Sequence, residues 1–241
     1  MGSGFLATLD CIGADADAPN CRSDRAVGPL GLLEVSLYYV GRPSKYSQDE
    51  MLDAGATLIA RDGPGALTIV AVAQHLGAPS GSIYHRFASR DVLAASLWLR
   101  AVERFQTAWL DSVGHEDPGE AVRRGARCVL TWSRDHLDDA RLLLLFRSRD
   151  LIHGDWPAAL ERDNRRLRAQ LDRKMRDLDD RLGAVTPTER RRVRFAAMDI
   201  PYGAVRGPLG RGRAPEPELD AMVDDAVVAV INRLPARRTF Q

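Results

Sequence analysis

The chain has 241 residues, a formal net charge of +1 at pH 7 and 45% hydrophobic residues. This length supports two modest helical domains with a buried core, and the near-neutral charge argues against a broadly basic nucleic-acid-binding surface. No apolar run is long enough to span a membrane, and the three cysteines have no metal-ligand or disulfide pattern. We therefore expect a reduced, cytoplasmic protein with no membrane partner, metal or cofactor.

Residues 1–46 are poorly patterned and lack the basic start and cleavage site of a signal peptide. Gly, Ala, Asp and Pro dominate up to Gly31, which predicts a disordered or weakly structured tail. The stretch from Leu32 to Val40 is apolar enough for a short strand or helix. A translation start assigned too far upstream is an alternative explanation of this tail.

Two helix starts follow the tail. The run Ser47-Gln48-Asp49-Glu50 is a capping box that opens a helix ending near Gly63. Thr68 can cap the next helix, whose apolar residues recur at the spacing of one helical face and comprise Ile69, Val72, Ala73 and Leu76. Gly77 then supplies the sharp turn of a helix C-terminus.

A third helix opens near Pro79 or Ser80, and its Ile83 and Phe87 face inward because they are four residues apart. The residues left outside are Ser80, Gly81, Ser82, Tyr84 and His85. Two helices joined by a glycine turn, the second small and polar at its start, predict a helix-turn-helix whose recognition helix fits the DNA major groove. The alternative is an ordinary helical hairpin in an all-α core.

The remainder predicts helices only, with no β signal. The first of these helices covers residues 89–112, and the second runs from a loop at 114–118 to about residue 134. A third contains the buried segment 142–146, and a fourth covers 156–182. The fifth starts at Thr186 and kinks or ends at Pro201, and the last covers 219–234 after a loop at 206–217.

The run Gly77-x-x-x-Gly81-Ser82-Ile83-Tyr84-x-x-Phe87-x-Ser89-Arg90 resembles the DNA-binding domain of the TetR family of bacterial transcriptional regulators. The resemblance covers about a fifth of the chain. It implies an all-α protein with an N-terminal three-helix DNA-binding domain over residues 47–93. A helical ligand-binding and dimerisation domain would follow over residues 94–236, with a short tail at 237–241.

The resemblance also implies a set of DNA-binding residues: Arg42, Lys45, Thr68, Ser80, Gly81, Ser82, Tyr84, His85 and Arg90. Arg42, Lys45 and Arg90 would contact phosphates, the last together with helix N-terminal amides. Thr68 alternatively acts only as a cap, and Tyr84 as core. Pro79 replaces a frequent capping Ser and Ser80 a frequent Lys, so no operator sequence carries over from other members.

In the helical domain, the residues expected to line an effector pocket are Trp109, Trp132, Phe146, Trp156, Met198 and Tyr202, with ordinary core as the alternative. The apolar stripe of the last helix predicts a homodimer interface that includes Met222, Val223, Val227 and Val230. No catalytic triad, carboxylate pair or phosphate loop occurs at a telling spacing, so an enzyme is not expected.

These features together predict a DNA-binding transcriptional regulator. The expected mechanism is a ligand-responsive repressor that binds a palindromic double-stranded operator as a dimer and responds to a small apolar or aromatic effector. One alternative is a helical small-molecule-binding or structural protein that kept the scaffold and lost specific DNA binding. Another is a ligand-independent activator.

Overall fold

The computed structural model of the protein describes residues 46–146, 151 and 156–234. Within these ranges every regular element is helical, which confirms the all-α fold class. The helices are α1 (Gln48–Asp62), α2 (Ile69–Leu76), α3 (Ser80–Arg86), α4 (Arg90–Ser112), α5 (Pro118–Asp135), α6 (Leu137–Leu145), α7 (Ala158–Leu182), α8 (Pro187–Arg194), α9 (Ile200–Gly210) and α10 (Leu219–Ile231). The predicted tails, apart from Tyr46, and the predicted contacts Arg42 and Lys45 lie outside the described residues.

The predicted caps of the N-terminal helices are confirmed. The Ser47 hydroxyl accepts from the Glu50 amide at 3.1 Å, and the Glu50 carboxylate accepts from the Ser47 amide at 2.6 Å, which completes the capping box of α1. The Thr68 hydroxyl accepts from the Ala71 amide at 3.0 Å and starts α2. Gly77 ends α2 with φ of +62°, a left-handed conformation that a residue with a Cβ rarely adopts.

Helices α1 to α3 enclose one small apolar core. Ile83 and Phe87 of the third helix are buried in it, together with Leu67 and Val72. Gly55 of α1 packs closely here, since a Cβ at this position would lie 3.1 Å from a methyl carbon of Leu67, closer than an ordinary contact. The core fixes which face of α3 is left for solvent.

Helix α4 joins the two halves of the molecule. Ser89 caps it and its 23 residues span about 35 Å. It contacts α1 at one end and packs against α5, α6 and α7 along its length. At its far end Trp109 is buried against Gly125 of α5, where an added Cβ would lie only 2.6 Å from a methyl carbon of Val113. A continuous rigid helix therefore connects the helix-turn-helix to the helical domain.

Two expectations for the helical domain are wrong in part. The segment 142–146 is not apolar core throughout, because Leu145, the last residue of α6, is 47% exposed. The expected loop at 206–217 starts later, because α9 continues to Gly210 with Pro208 inside it. Val205 and Leu209 are buried, so packing holds this stretch helical despite its glycines and proline.

The helix break expected at Pro201 takes an unusual form. A π-helical turn, Phe195–Asp199, separates α8 from α9 directly before this proline. Proline has no amide hydrogen and its ring clashes with the preceding turn of a regular helix. A wider π turn accommodates such a local mismatch without ending the helix.

Asp179, in the last turn of α7, is 8% exposed, and its Oδ1 atom has no hydrogen-bond partner among the described residues. Burial raises the pKa of Asp179 to about 6, against the opposing charge of Arg190. The acid is thus favoured neutral when folded, so its stabilising contribution is present at low pH and is lost as pH rises through about 6.

We therefore expect Asp179→Asn to unfold at nearly the wild-type denaturant midpoint at pH 4. At pH 8 the free energy of unfolding of the variant should be higher than that of the wild type by roughly 1 kcal/mol. This gain is smaller than the full pKa shift would give, because solvent screens part of the buried charge. Urea unfolding across this pH range measures the difference. Asp111→Asn, at an exposed aspartate of α4 that does not act on Asp179, is the matched control, and an equal gain in both variants would contradict the assignment.

Candidate nucleic-acid interface

Helix α3 presents one polar face to solvent. Ser80, Gly81, His85 and Arg86 are exposed, and Tyr84 is 53% exposed. The alternative that placed the Tyr84 ring in the core is therefore wrong. The predicted outside residues of the recognition helix lie together on one surface, with Ser82 partly buried at its edge.

The hydroxyl hydrogen of Ser82 is already engaged in a hydrogen bond within the chain. Its hydroxyl donates to the Pro79 carbonyl oxygen at 2.6 Å, across the start of α3. Pro79 offers no side-chain cap, so this bond helps to hold the first turn. Only the acceptor lone pairs of the hydroxyl remain, and in a major groove these match the amino groups of adenine and cytosine.

Thr68 is exposed at the start of α2, and its oxygen accepts from the Ala71 amide. The hydroxyl hydrogen is not used in that bond and is therefore available to a phosphate oxygen. The cap role is confirmed. A phosphate contact is compatible with it, because the two roles use different atoms of one hydroxyl group.

Few positive charges near α3 are available to phosphates. Arg61 pairs with Asp62 at 2.6 Å and Arg100 with Asp53 at 2.8 Å. Arg86, in contrast, is exposed and makes no ion pair within the described ranges. The sequence prediction omitted Arg86, although a basic residue in the last turn of the recognition helix is a usable signal.

Arg90, which was predicted to contact a phosphate, donates to backbone carbonyl oxygens of its own domain. Its Nε atom donates to the Leu67 carbonyl oxygen at 2.9 Å and its Nη2 atom to that of Pro64 at 3.1 Å. Its Nη1 atom lies 3.6 Å from Asp91. The guanidinium group is thus directed at the backbone between α1 and α2.

Tyr46, the first described residue, contacts the turn of the helix-turn-helix. Its hydroxyl donates to the Gly77 carbonyl oxygen at 3.3 Å, between α2 and α3.

Four of the six residues predicted to line an effector pocket are buried in the helical domain: Trp109, Trp132, Met198 and Tyr202. Phe146 and Trp156 are half-buried. Two of these rings pack edge to face against aromatic rings of α4. The ring centroids of Trp132 and Phe105 are 5.2 Å apart, and those of Trp156 and Trp98 are 6.3 Å apart.

Polar atoms are buried in the same domain without partners. The indole Nε1 of Trp109, the amide Oε1 of Gln106 and the hydroxyl of Ser133 make no hydrogen bond within the described chain. Such groups are costly unless water or a ligand satisfies them.

A cleft of about 200 Å³ lies elsewhere, between α1, α4 and α7. Its lining includes Leu52, Leu99 and Leu167 and the charged Arg100 and Glu103, and none of the six predicted pocket residues.

Salt bridges connect helix α10 to α5. Arg134 donates through both terminal nitrogens to Asp220, at 2.9 and 2.8 Å. Arg123 binds both oxygens of Asp224, at 2.9 and 2.6 Å, and these bonds hold the pKa of the Asp224 carboxyl below its usual range. This anchored side of α10 faces the chain's own core.

The residues predicted for the dimer interface separate into two groups. Val223 and Val227 are buried within the chain's own core, so they are not available to a partner surface in this structure. Met222 is 63% exposed and Val230 is half-buried. The wide apolar stripe on α10 therefore has two parts: one side, with Val223 and Val227, packs on the chain's own core, and the other, with Met222, is exposed.

Other classes of site find no support in the described residues. No group of three His, Cys, Asp or Glu side chains there is arranged to hold a metal ion. None of the helices in the described ranges is long and apolar enough to cross a membrane.

Residues 51–97 match the family model described as bacterial regulatory proteins, tetR family. The chain therefore carries a TetR-family DNA-binding domain over these residues. The matched range contains α2, α3 and the start of α4, so the exposed face of α3 is that of a TetR-type helix-turn-helix. The predicted family and the function class of a DNA-binding transcriptional regulator are confirmed.

Solved structures extend the likeness to the helical domain. A TetR family regulator from Marinobacter aquaeolei VT8 is 16% identical with a TM-score of 0.59, over 76% of this chain and 94% of that one. A putative TetR family regulator from Shewanella sp. PV-4 is 17% identical with a TM-score of 0.59, over 79% and 98%. The fatty acid degradation regulator FadR from Bacillus halodurans is 16% identical with a TM-score of 0.55, over 82% and 99%. At these identities the likeness establishes a shared fold. No curated protein sequence matches the chain.

Proposed function

We propose that this TetR-family protein is a repressor that binds a palindromic operator as a homodimer and releases it when a small effector enters the helical domain. The observation that supports this most is the two-sided α3. Its Ile83 and Phe87 are buried, while Ser80, Tyr84 and Arg86 are exposed with no element covering them. The match of residues 51–97 to the TetR DNA-binding domain gives this exposed face the position of a recognition helix.

The proposed DNA contacts fall into two kinds. Ser82 and Tyr84 would read base edges, Ser82 by accepting from adenine or cytosine and Tyr84 by contact with a thymine methyl or a phosphate. Thr68 and Arg86, with Arg42 and Lys45 from the preceding segment, would contact phosphates and set affinity and salt dependence. The position of Arg42 and Lys45 in the sequence, directly before α1, supports the role of that segment.

A dimer is required because one short helix reads only a few base pairs. The exposed side of the last helical segments supports such an interface. Phe195 is 46% exposed, Met222 is more exposed, and an added Cβ at Gly203 would meet no atom within 4 Å. Glycine on an exposed helix face allows close approach of a second helix, so we assign the dimer face to Phe195, Gly203 and Met222 in place of Val223 and Val227.

The effector would bind among the aromatic side chains between α4 and α9. The buried, unpartnered Gln106, Trp109 and Ser133 indicate that its apolar or aromatic body carries hydrogen-bonding groups. Binding there releases DNA only if the effector prefers the conformation with lower DNA affinity. Helix α4 provides a connection, because it starts beside α3 and carries Gln106 and Trp109.

We expect an effector from a library of small aromatic and aliphatic acids, alcohols and amides to quench tryptophan fluorescence. The same compound should release a labelled operator duplex at concentrations that track this quenching. A shift of tenfold in operator affinity corresponds to about 1.4 kcal/mol of coupling. Trp109→Phe should lower the quenching and retain folding. Compounds that quench fully and leave the anisotropy of the duplex unchanged would contradict the inducible mechanism.

A further inference from the structure

The connection between α1 and α2 is held from α4. It runs through Gly63, which has a positive φ of 83°, and a short 3₁₀ turn, Pro64–Ala66, to the fully buried Leu67. Arg90 reaches back 23 residues in sequence to the Leu67 carbonyl and 26 to that of Pro64. One side chain thus bonds to both ends of this connection.

The Arg90 bonds affect α2 because one of the bonded carbonyl groups lies directly before that helix. Leu67 directly precedes Thr68, the cap of α2, so the bond at 2.9 Å fixes the peptide that leads into the helix N-terminus. The free backbone amides and the partial positive charge of a helix N-terminus favour phosphate, but only where the geometry is fixed. Ordering this peptide therefore orders the Thr68 hydroxyl and the first turn of α2 together.

The chemistry of the contact requires arginine. Its planar fork donates through Nε and Nη2 to two carbonyl oxygens at once, which a lysine ammonium does not reproduce in the same geometry. With Nη1 beside Asp91, all three nitrogens of the group face atoms of the protein. A phosphate contact, in contrast, needs mainly the positive charge, and lysine serves that purpose.

We propose that Arg90 is a positioning residue for DNA binding, acting through Thr68 and the N-terminus of α2 instead of contacting a phosphate itself. The inference rests on the proposed function, since it assumes that Thr68 meets the DNA backbone. It assigns the phosphate contact at this end of the domain to the uncharged donors of α2, leaves the salt-dependent contact to Arg86, and removes Arg90 from the set of phosphate ligands.

The test measures operator affinity by fluorescence anisotropy between 50 and about 300 mM salt, a range over which phosphate contacts dominate the change. Arg90→Ala should weaken binding about tenfold, within the range of couplings between contacting residues, with the wild-type salt slope. Arg86→Ala, the matched control, should flatten the slope by about one unit. Arg90→Lys, which keeps the charge, should not restore affinity.

A double-mutant cycle separates positioning from general destabilisation. In a Thr68→Ala background, Arg90→Ala should cost clearly less than in the wild-type background, because the Thr68 hydroxyl, one of the groups through which it acts, has been removed. A flattened slope for Arg90→Ala together with recovery in Arg90→Lys would overturn the inference in favour of a phosphate contact. Fully additive losses would overturn it in favour of a separate effect on stability.

Two further outcomes are distinguishable from these. If Arg90→Ala fails to fold by circular dichroism, Arg90→Lys decides alone: wild-type affinity overturns the inference and a loss supports it. If the wild-type protein binds no duplex specifically, the proposed function fails, whatever the Arg90 variants do.

Discussion

Replacing both Met222 and Gly203 by glutamate should convert the protein to monomers. Both positions are exposed, and a Cβ added at residue 203 would lie in open space, so the subunit should stay folded. Buried carboxylates would be left unpaired in the interface. Because two linked half-site contacts exceed either alone by a factor of 10² or more, binding to a palindromic duplex should weaken by at least about 100-fold.

Sedimentation velocity and operator anisotropy measure both effects. Val185→Glu is the matched control, since Val185 is 73% exposed and lies before α8, outside the assigned face. Val227→Asp is unsuitable, because Val227 is buried in its own subunit and its replacement would unfold the chain. A double variant that sediments as a wild-type dimer would show that the interface lies elsewhere.

Neighbouring substitutions in α3 should have opposite consequences. Ile83 is fully buried, so Ile83→Ala should lower the free energy of unfolding by about 2–5 kcal/mol. Tyr84 is more than half exposed, so Tyr84→Ala should change stability by no more than about 0.5 kcal/mol. The tyrosine variant should instead lose about 1–3 kcal/mol of operator binding, roughly 5- to 150-fold, if the ring meets DNA.

Urea unfolding and operator titration on the same preparations separate the two effects. Tyr84→Phe, which keeps the ring and removes the hydroxyl, distinguishes a thymine methyl contact from a hydrogen bond to phosphate. A folded Tyr84→Ala protein with wild-type affinity would contradict the place of this residue in the interface.

Local signals carried most of the prediction for the N-terminal domain. The capping box at Ser47, the cap at Thr68 and the glycine at Gly77 act over a few residues, and each is observed as predicted. The spacing of Ile83 and Phe87 identified the buried face of α3, and the exposed face followed as its complement. Short-range hydrogen bonding and helical periodicity determine these features, so sequence alone specifies them.

Features that depend on distant partners were not predictable in the same way. Periodicity showed that α10 has a wide apolar stripe but not that Val223 and Val227 pack on their own chain, while Met222 stays outside. The bonds of Arg90 to the backbone near α2 likewise depend on tertiary packing across 23 residues or more. A charged residue at a helix start has the same local pattern whether it binds a phosphate or a carbonyl.

The most direct measurement for the central claim is selection of bound duplexes from a randomised pool by the purified protein, followed by sequencing. We expect two inverted copies of one short motif, with centres separated by about one helical turn or more, as two α3 helices of a dimer require. Enrichment should be weaker for Tyr84→Ala than for the wild type at equal protein folding. A pool without any enriched motif, or a motif enriched equally by the wild type and by Tyr84→Ala, would contradict the account.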